Sequence, residues 1–223
     1  MAEVMPQETQ GFSLGKPTLV CLWRISGGML PLANRHMRAL RSRVVDGSRV
    51  STELVAWAKQ QVEWSLAEGS AAHPDGVLML IVDEGGQAAM TVGPYEPLKA
   101  RTLRELARRA LDAAREASST GVAPEMLAIV RDGALLLGME TEQRVSGTAS
   151  LVSDLAQTLG MSVRRVEGLA PSVMAGEACA GEVMLVSDEH GVVVASDQGG
   201  PLAEKFAGGY QTLLEKARRG IRR

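Results

Sequence analysis

The chain has 223 residues, 45% hydrophobic and 22% charged, and its 24 Lys and Arg residues against 26 Asp and Glu give a formal net charge of −2. This balance is typical of a globular protein with a buried core and excludes a largely disordered chain. A near-neutral charge argues against a constitutive nucleic-acid-binding protein, which needs a basic face to neutralise phosphates. Aromatic residues make up only 3% of the chain, so a base-stacking platform is not expected either.

The two cysteines, Cys21 and Cys179, stand far apart and match neither a disulfide framework nor the spacing of a zinc site. The first residues carry no basic segment followed by an apolar one, so no signal peptide is predicted. The longest apolar runs, 77–82 and 192–195, are far shorter than the roughly 20 residues that span a bilayer. We therefore expect a cytoplasmic protein with reduced thiols, no metal and no membrane partner.

Hydrophobic periodicity, capping residues and turn residues predict hairpins that alternate with helices. The first half is predicted to contain a hairpin over 18–32, helices over 35–45 and 52–68, the first of them capped by Asn34, and a second hairpin over 77–92. The second half is predicted to contain helices over 100–118, 147–159, 171–179 and 201–218, a hairpin over 126–137, and strands over 162–166, 182–186 and 192–195. The fold class is therefore α+β.

A domain boundary is predicted at 93–97, because Gly93, Pro94 and Pro97 break the patterns on both sides. This boundary gives an N-terminal domain over 1–93 and a C-terminal domain over 98–223. Each domain is small, and the cleft between them is the expected place for a ligand.

Several segments carry motifs in a definite order. RISGGMLPL at 24–32 is followed by HMRAL at 36–40, LAIVRDG at 127–133, SGT at 146–148, LAQTLGMSV at 155–163, GEVML at 181–185 and GGPL at 199–202. In order and spacing they resemble the motifs of the class IV pyridoxal-phosphate enzymes, which include branched-chain aminotransferases, D-amino-acid aminotransferases and aminodeoxychorismate lyases. The resemblance covers most of the chain and implies two small α/β halves of the D-amino-acid aminotransferase-like fold and a homodimer.

The family holds the cofactor phosphate with residues that this chain lacks. Ala39 stands where the family's H-x-x-R-L motif has its arginine, and Ala149 and Ser150 replace the hydroxyl and arginine of its G-I-T-R motif. Where the family has a G-T-A phosphate turn, 186–189 reads VSDE, and two carboxylates would repel a phosphate. The glutamate that holds the pyridine nitrogen protonated falls in a segment that is missing between 121 and 127. These losses predict a protein without a cofactor, with pyridoxal phosphate as the alternative.

Lys99 precedes a predicted helix, as the family's Schiff-base lysine does. A lysine there can form an imine if burial lowers its pKa. Pro94 and Pro97 shorten the preceding strand, so a surface lysine is the other interpretation. Gly147 and Thr148 offer backbone N–H groups at a helix N-terminus, which can bind an anion or simply begin the helix.

Other candidates are expected near the cleft. His36 could be a general base or a framework residue, Cys21 a thiol nucleophile or core packing, and Arg24 and Arg38 could bind an anionic ligand. Ser187 is a candidate ligand-binding residue. It begins SDEHG at 187–191, which could relay protons, form a weak metal site or form a polar turn.

Three functions remain open at this stage. The first is a degenerate class IV aminotransferase-like protein that binds or converts a small carboxylate or amino-acid-derived molecule without the cofactor. The second is a working aminotransferase or aminodeoxychorismate lyase that uses Lys99, with Arg38 or Arg41 supplying the charge lost at Ala39. The third is a non-catalytic partner of a related enzyme.

Overall fold

The computed structural model describes residues 13–45, 47–177 and 180–220. The first half contains strands β1 (Pro17–Arg24), β2 (Val44–Val45), β3 (Ser48–Arg49), β4 (Val77–Asp83) and β5 (Ala88–Gly93) and helices α1 (Ala33–Ser42) and α2 (Thr52–Gly69). β1, β4 and β5 form an antiparallel sheet in that order, and β2 pairs with β3. α1 and α2 pack on the sheet around buried apolar residues such as Trp23, Leu40 and Leu78.

The first predicted hairpin is wrong. β1 pairs with β4, and only a single bridge between Ser26 and Met29 forms where the second strand was predicted. Pro31 has no N–H for a ladder, and 29–32 is too short to compete with the seven-residue β4. The hairpin of β4 and β5 is confirmed. Leu32, not the predicted Asn34, precedes α1, and it makes no side-chain cap.

The second half contains strands β6 (Met126–Arg131), β7 (Ala134–Leu137), β8 (Ser162–Arg165), β9 (Glu182–Ser187) and β10 (Gly191–Val194) and helices α3 (Leu103–Thr120), α4 (Gly147–Thr158), α5 (Leu169–Met174) and α6 (Pro201–Gly220). The five strands form one sheet in the order β10-β9-β6-β7-β8, in which only β7 and β8 are parallel. α3 begins three residues later than predicted, because Thr102 and Glu105 form a capping box. The predicted helix over 171–179 includes Cys179, which lies outside the described residues.

Side-chain alternation places helices on both faces of this sheet. Met126, Ala128 and Val130 of β6 face one layer, which contains α4 and α6. Leu127 and Ile129 face the other, which contains α3 and α5. The hairpin predicted over 126–137 is confirmed, and its turn has the type I′ geometry that suits an Asp-Gly pair, since Asp132 and Gly133 both have positive φ, 50° and 70°.

The two halves meet along β1 and α1. The N–H of Val20 in β1 donates to the carbonyl of Gly121, which ends α3 in the left-handed region at φ 64°. A Cβ at Gly121 would lie 1.9 Å from the carbonyl oxygen of Thr18, so only glycine fits this contact. Arg35 of α1 also pairs with Asp154 of α4 at 2.7 Å. The division into domains at 93–97 stays a prediction.

None of the helices in the described ranges is long and apolar enough to cross a membrane.

Candidate functional site

A cavity of about 360 Å³ lies where the two halves meet, and we call it the cleft cavity. Cys21 and Trp23 of β1 and Ala39 and Leu40 of α1 form its wall on one side. The end of α3, the segment 122–124 and the segment 142–146 before α4 form the other side, with Asp188. The wall is mostly apolar, with a few convergent polar groups, as small-molecule sites usually are.

Two arginines, one from each half, line this cavity. Arg43 follows the last residue of α1 and donates to the carbonyl of Gly121. Arg144 stands on the exposed segment before α4. Among the described residues, neither guanidinium has a carboxylate within 4.0 Å. Within the described residues these two guanidinium groups therefore have no ion-pair partner, although Glu142 and Asp188 also lie on the cavity wall.

Arg38 and Arg41 do not supply this charge. They line a separate groove between α1 and α2, together with Val55 and Lys59. Arg43, which follows α1 with extended backbone, lines the cleft cavity instead. The structure therefore does not bring Arg38 or Arg41 to the wall of the cleft cavity, and their predicted roles stay predictions.

The N-terminus of α4 already holds an anion, the carboxylate of Asp188. The N–H of Thr148 donates to Asp188 Oδ1 at 2.7 Å, and the N–H of Gly147 donates to Oδ2 at 3.3 Å. The next N–H, of Ala149, donates to the Oγ of Ser146, which caps the helix. The N–H groups of Gly147 and Thr148, which were predicted to bind an anion or simply to begin the helix, therefore donate to a side chain of the protein itself.

His36 lies beside this carboxylate. It is only 2% exposed, and its Nδ1 lies 3.5 Å from Asp188 Oδ2. Trp23 stacks on the imidazole with ring centroids 5.3 Å apart. Burial opposes ionisation of Asp188, but His36 and the N–H of Thr148 outweigh it and hold the pKa of this carboxyl below its usual value. His36 packs in the framework and also borders the cleft cavity. Its position is therefore compatible with both predicted roles, general base and framework residue.

Cys21 lines the cleft cavity but is not an activated thiol. It is 4% exposed, and burial raises the pKa of its thiol to about 12 despite the charge of Arg43. The thiolate is the nucleophilic form of cysteine, so this environment suppresses its reactivity. Burial therefore favours core packing for Cys21, and the thiol nucleophile stays a prediction.

Arg24 is held by protein groups outside the cleft cavity. Its guanidinium lies 3.5 Å above the ring centroid of Tyr95 and donates to the carbonyls of Asp75 and Gly76. These contacts fix the loop before β4 against the linker, which is a structural task. Arg24 is therefore not a ligand-binding residue of the cleft cavity.

Ser187 belongs to a buried charged cluster around Glu125. Its Oγ donates to Glu125 Oε1 at 2.9 Å, and Arg109 Nε donates to Oε2 at 2.7 Å. His190 Nε2 lies 3.6 Å from Oε1. Burial and the neighbouring Glu125 raise the pKa of Glu189, and burial lowers the pKa of His190. Residues 188–190 form the turn between β9 and β10, so the turn interpretation of 187–191 is confirmed, although the buried His190 Nδ1 has no hydrogen-bond partner among the described residues.

The atoms of Glu125, Glu189 and His190 come within 4.8 Å of one another, a spacing that a metal ion could use. The guanidinium of Arg109, however, already donates to Glu125. A metal cation bound to these three residues would be repelled by the guanidinium of Arg109, so the cluster does not fit a metal ion.

Lys99 lies away from the cleft cavity. It is exposed and precedes α3, whereas Ala117, near the other end of α3, lines the cavity. Fourteen residues separate Leu103 from Ala117, which is about 21 Å along a helix. Within the described ranges no lysine lines the cavity. The structure therefore does not bring Lys99 together with Cys21 and His36.

Comparison with known proteins rests on structure. No family model and no curated protein matches the sequence. A hypothetical aminotransferase from Mycobacterium tuberculosis, solved with α-ketoglutarate and PMP bound, superimposes with a TM-score of 0.59 at 17% identity over 93% of this chain and 94% of that chain. A putative 4-amino-4-deoxychorismate lyase from Legionella pneumophila gives a TM-score of 0.58 at 12% identity over 93% and 98%. An aminotransferase from Brucella abortus with bound pyridoxal phosphate gives 0.52 at 13% over 92% and 94%.

This chain has the class IV aminotransferase-like fold. The fold predicted from the sequence is therefore confirmed. The expectation of a protein without a cofactor is wrong, because solved structures of this fold hold pyridoxal phosphate or PMP.

The residues at the N-terminus of α4 do not fit a bound phosphate, since Asp188 takes the donors of Gly147 and Thr148. Sequence reasoning recognised the carboxylate of Asp188 as a source of repulsion but not as the occupant of this site. It missed Arg43 and Arg144 altogether. Arg43 lies just beyond the end of α1 and Arg144 lies in an irregular segment, so helical periodicity carried no signal for either residue.

Proposed function

We propose that the cleft cavity binds a small anionic ligand, and that this ligand is pyridoxal phosphate, which solved structures of the same fold hold. The observation that carries the proposal is the pair Arg43 and Arg144, which line one cavity from two sides without an ion-pair partner among the described residues. Guanidinium groups match the geometry of phosphate and carboxylate oxygens. Glu142, on the same wall, lies beyond ion-pair distance of both.

Arg43 and Arg144 would hold the phosphate of the ligand in this arrangement. The apolar wall of Trp23, Ala39 and Leu40 would contact its ring. When bound, pyridoxal phosphate supplies an electron-withdrawing ring for reactions of amino acids.

The proposal concerns binding, because Lys99 is exposed and no described lysine lines the cavity. Aminotransferase or lyase activity through Lys99 stays a prediction without support from the site. The same holds for a homodimer and for a role as the non-catalytic partner of a related enzyme.

Equilibrium dialysis with pyridoxal phosphate, read by its absorbance, tests the proposal. The wild type is expected to bind, and Arg43→Gln to bind at least about tenfold more weakly, which corresponds to about 1.4 kcal/mol. Arg38→Gln is the matched control, because Arg38 stands on the same helix but lines the other groove. Absence of binding to the wild type, or equal losses in the two variants, would overturn the proposal.

Pyridoxal, which lacks the phosphate, provides a second comparison. If Arg43 contacts the phosphate, pyridoxal binds the wild type more weakly than pyridoxal phosphate does, and Arg43→Gln reduces that difference. Equal affinities for the two compounds would mean that Arg43 does not contact the phosphate of the ligand.

A further inference from the structure

The N-terminus of α4 and His36 together form what we call the α4 anion site. α4 is a twelve-residue helix, and its first two N–H groups converge on one point. The partial positive charge of a helix N-terminus favours an anion there. His36 aims its Nδ1 at the same point from α1, on the other half of the chain.

A second observation shows that this point is prepared for an anion. His36 Nδ1 and the Oγ of Thr148 are both buried and have no hydrogen-bond partner among the described residues. Buried polar atoms are normally hydrogen-bonded, and each exception needs an explanation. Both side chains lie beside the carboxylate of Asp188, which His36 Nδ1 approaches to 3.5 Å, and both help to lower the pKa of this carboxyl. The donors around this point therefore converge on one anionic group.

The occupant, Asp188, comes from the turn between β9 and β10. Its side chain is 8% exposed and lies on the wall of the cleft cavity. Its own carbonyl accepts from the N–H of Arg24 at 3.0 Å, which fixes the backbone that presents the carboxylate. Asp188 therefore contacts both the α4 anion site and the cleft cavity.

We propose that Asp188 is a built-in anion that fills the α4 anion site and excludes external phosphate from it. The side chain thereby decides where an anionic ligand can bind, since it engages His36 and leaves Arg43 and Arg144 as the arginines that line the cleft cavity within the described residues. This second statement rests on the proposed function, whereas the first does not.

Inorganic phosphate is the probe that tests the first statement. Asp188→Ser removes the carboxylate and opens the site to the cleft cavity, and this variant is expected to bind phosphate at least about tenfold more tightly than the wild type. Adding His36→Gln to Asp188→Ser should abolish the gain. Asp154→Ser is the matched control, because it also removes a carboxylate that joins α1 and α4, but at an exposed position outside the site.

Isothermal titration calorimetry on the four proteins separates the outcomes. Phosphate affinity of Asp188→Ser equal to that of the wild type, an equal gain in Asp154→Ser, or a gain that survives His36→Gln would each overturn the proposal. Failure of the proposed function would be visible separately, as a wild type that does not bind pyridoxal phosphate.

A measurement on the wild type applies even if Asp188→Ser does not fold. The amide resonances of Gly147 and Thr148 are expected to stay unchanged when phosphate is added, because both N–H groups already donate to Asp188. A saturable shift of these two resonances would show that external phosphate displaces the carboxylate, and the proposal would fail.

Discussion

The Oδ1 atom of Asp188 lies 2.7 Å from the amide nitrogen of Thr148, so an acidic side chain rests on the N-terminus of α4. The contact also joins the two halves of the chain, because His36 of α1 lies on the other side of the carboxylate. We therefore expect a substitution of Asp188 to change both the stability of the protein and the anions that the cleft cavity binds.

Asp188→Ala is expected to destabilise the protein by about 3 kcal/mol, because removing one partner of a buried pair leaves the other polar groups without an acceptor. The pKa of Asp188 lies below its usual value in the folded state, so its contribution is fully present above the unfolded value of 3.8 and is lost only as pH falls below it. Urea denaturation at neutral pH measures the loss. Asp154→Ala, which removes an exposed pair with Arg35, should cost less than about 1 kcal/mol. Equal losses would contradict the assigned role of Asp188.

Gly121→Ala tests the contact between the halves. Gly160→Ala is the control, because Gly160 also has a positive φ, 74°, but a Cβ there meets no atom within 4 Å. Left-handed backbone alone costs an alanine about 1–2 kcal/mol. At Gly121 the Cβ would also collide with the backbone of Thr18, so we expect at least twice that loss in thermal or chemical denaturation. Similar losses of stability at both positions would show that β1 shifts at little energetic cost to make room for a Cβ at position 121.

Protonation of His190 should destabilise the protein in acid. Burial lowers the pKa of His190 in the folded state, so below the unfolded value of 6.5 the unfolded chain binds a proton that the folded chain resists. The wild type should therefore lose stability relative to His190→Gln as pH falls from about 7 to about 5. Chemical denaturation across this range measures the difference. A difference that does not change with pH would be inconsistent with a lowered pKa.

Lys99 is expected to behave as a surface lysine. Borohydride reduction of the protein with pyridoxal phosphate, followed by peptide mass analysis, should modify Lys99 no more than Lys205, which is also exposed. Lys99→Ala should leave the affinity for pyridoxal phosphate unchanged. Selective modification of Lys99, or loss of binding in Lys99→Ala, would require Lys99 to reach the cleft cavity in solution.

The sequence predicts well what depends on local patterns. Ser51 caps α2 through the N–H of Leu54, and the Asp132-Gly133 turn closes the hairpin of β6 and β7, both as turn and cap chemistry dictate. The partner of β1 was predicted wrongly, because β4 is distant in sequence and no local signal specifies a long-range pairing.

The candidate site could be predicted only in part for the same reason. Motif order placed Gly147, Thr148 and Asp188 near one another. Whether the carboxylate of Asp188 repels an anion or replaces it depends on whether it comes within about one hydrogen-bond length of the N–H groups of Gly147 and Thr148. The spacing of motifs along the sequence does not specify such a distance. Arg24 and Arg38 looked equivalent to Arg43 in the sequence. Arg24 packs on the ring of Tyr95, and Arg38 lines the groove between α1 and α2. Both placements depend on tertiary contacts, which the local sequence does not specify.

A crystal structure of the protein with pyridoxal phosphate tests the central claim most directly. We expect the ligand in the cleft cavity with its phosphate within hydrogen-bond distance of Arg43, and Asp188 still bonded to the N–H groups of Gly147 and Thr148. A phosphate on those two N–H groups, with the carboxylate of Asp188 displaced, would contradict the account.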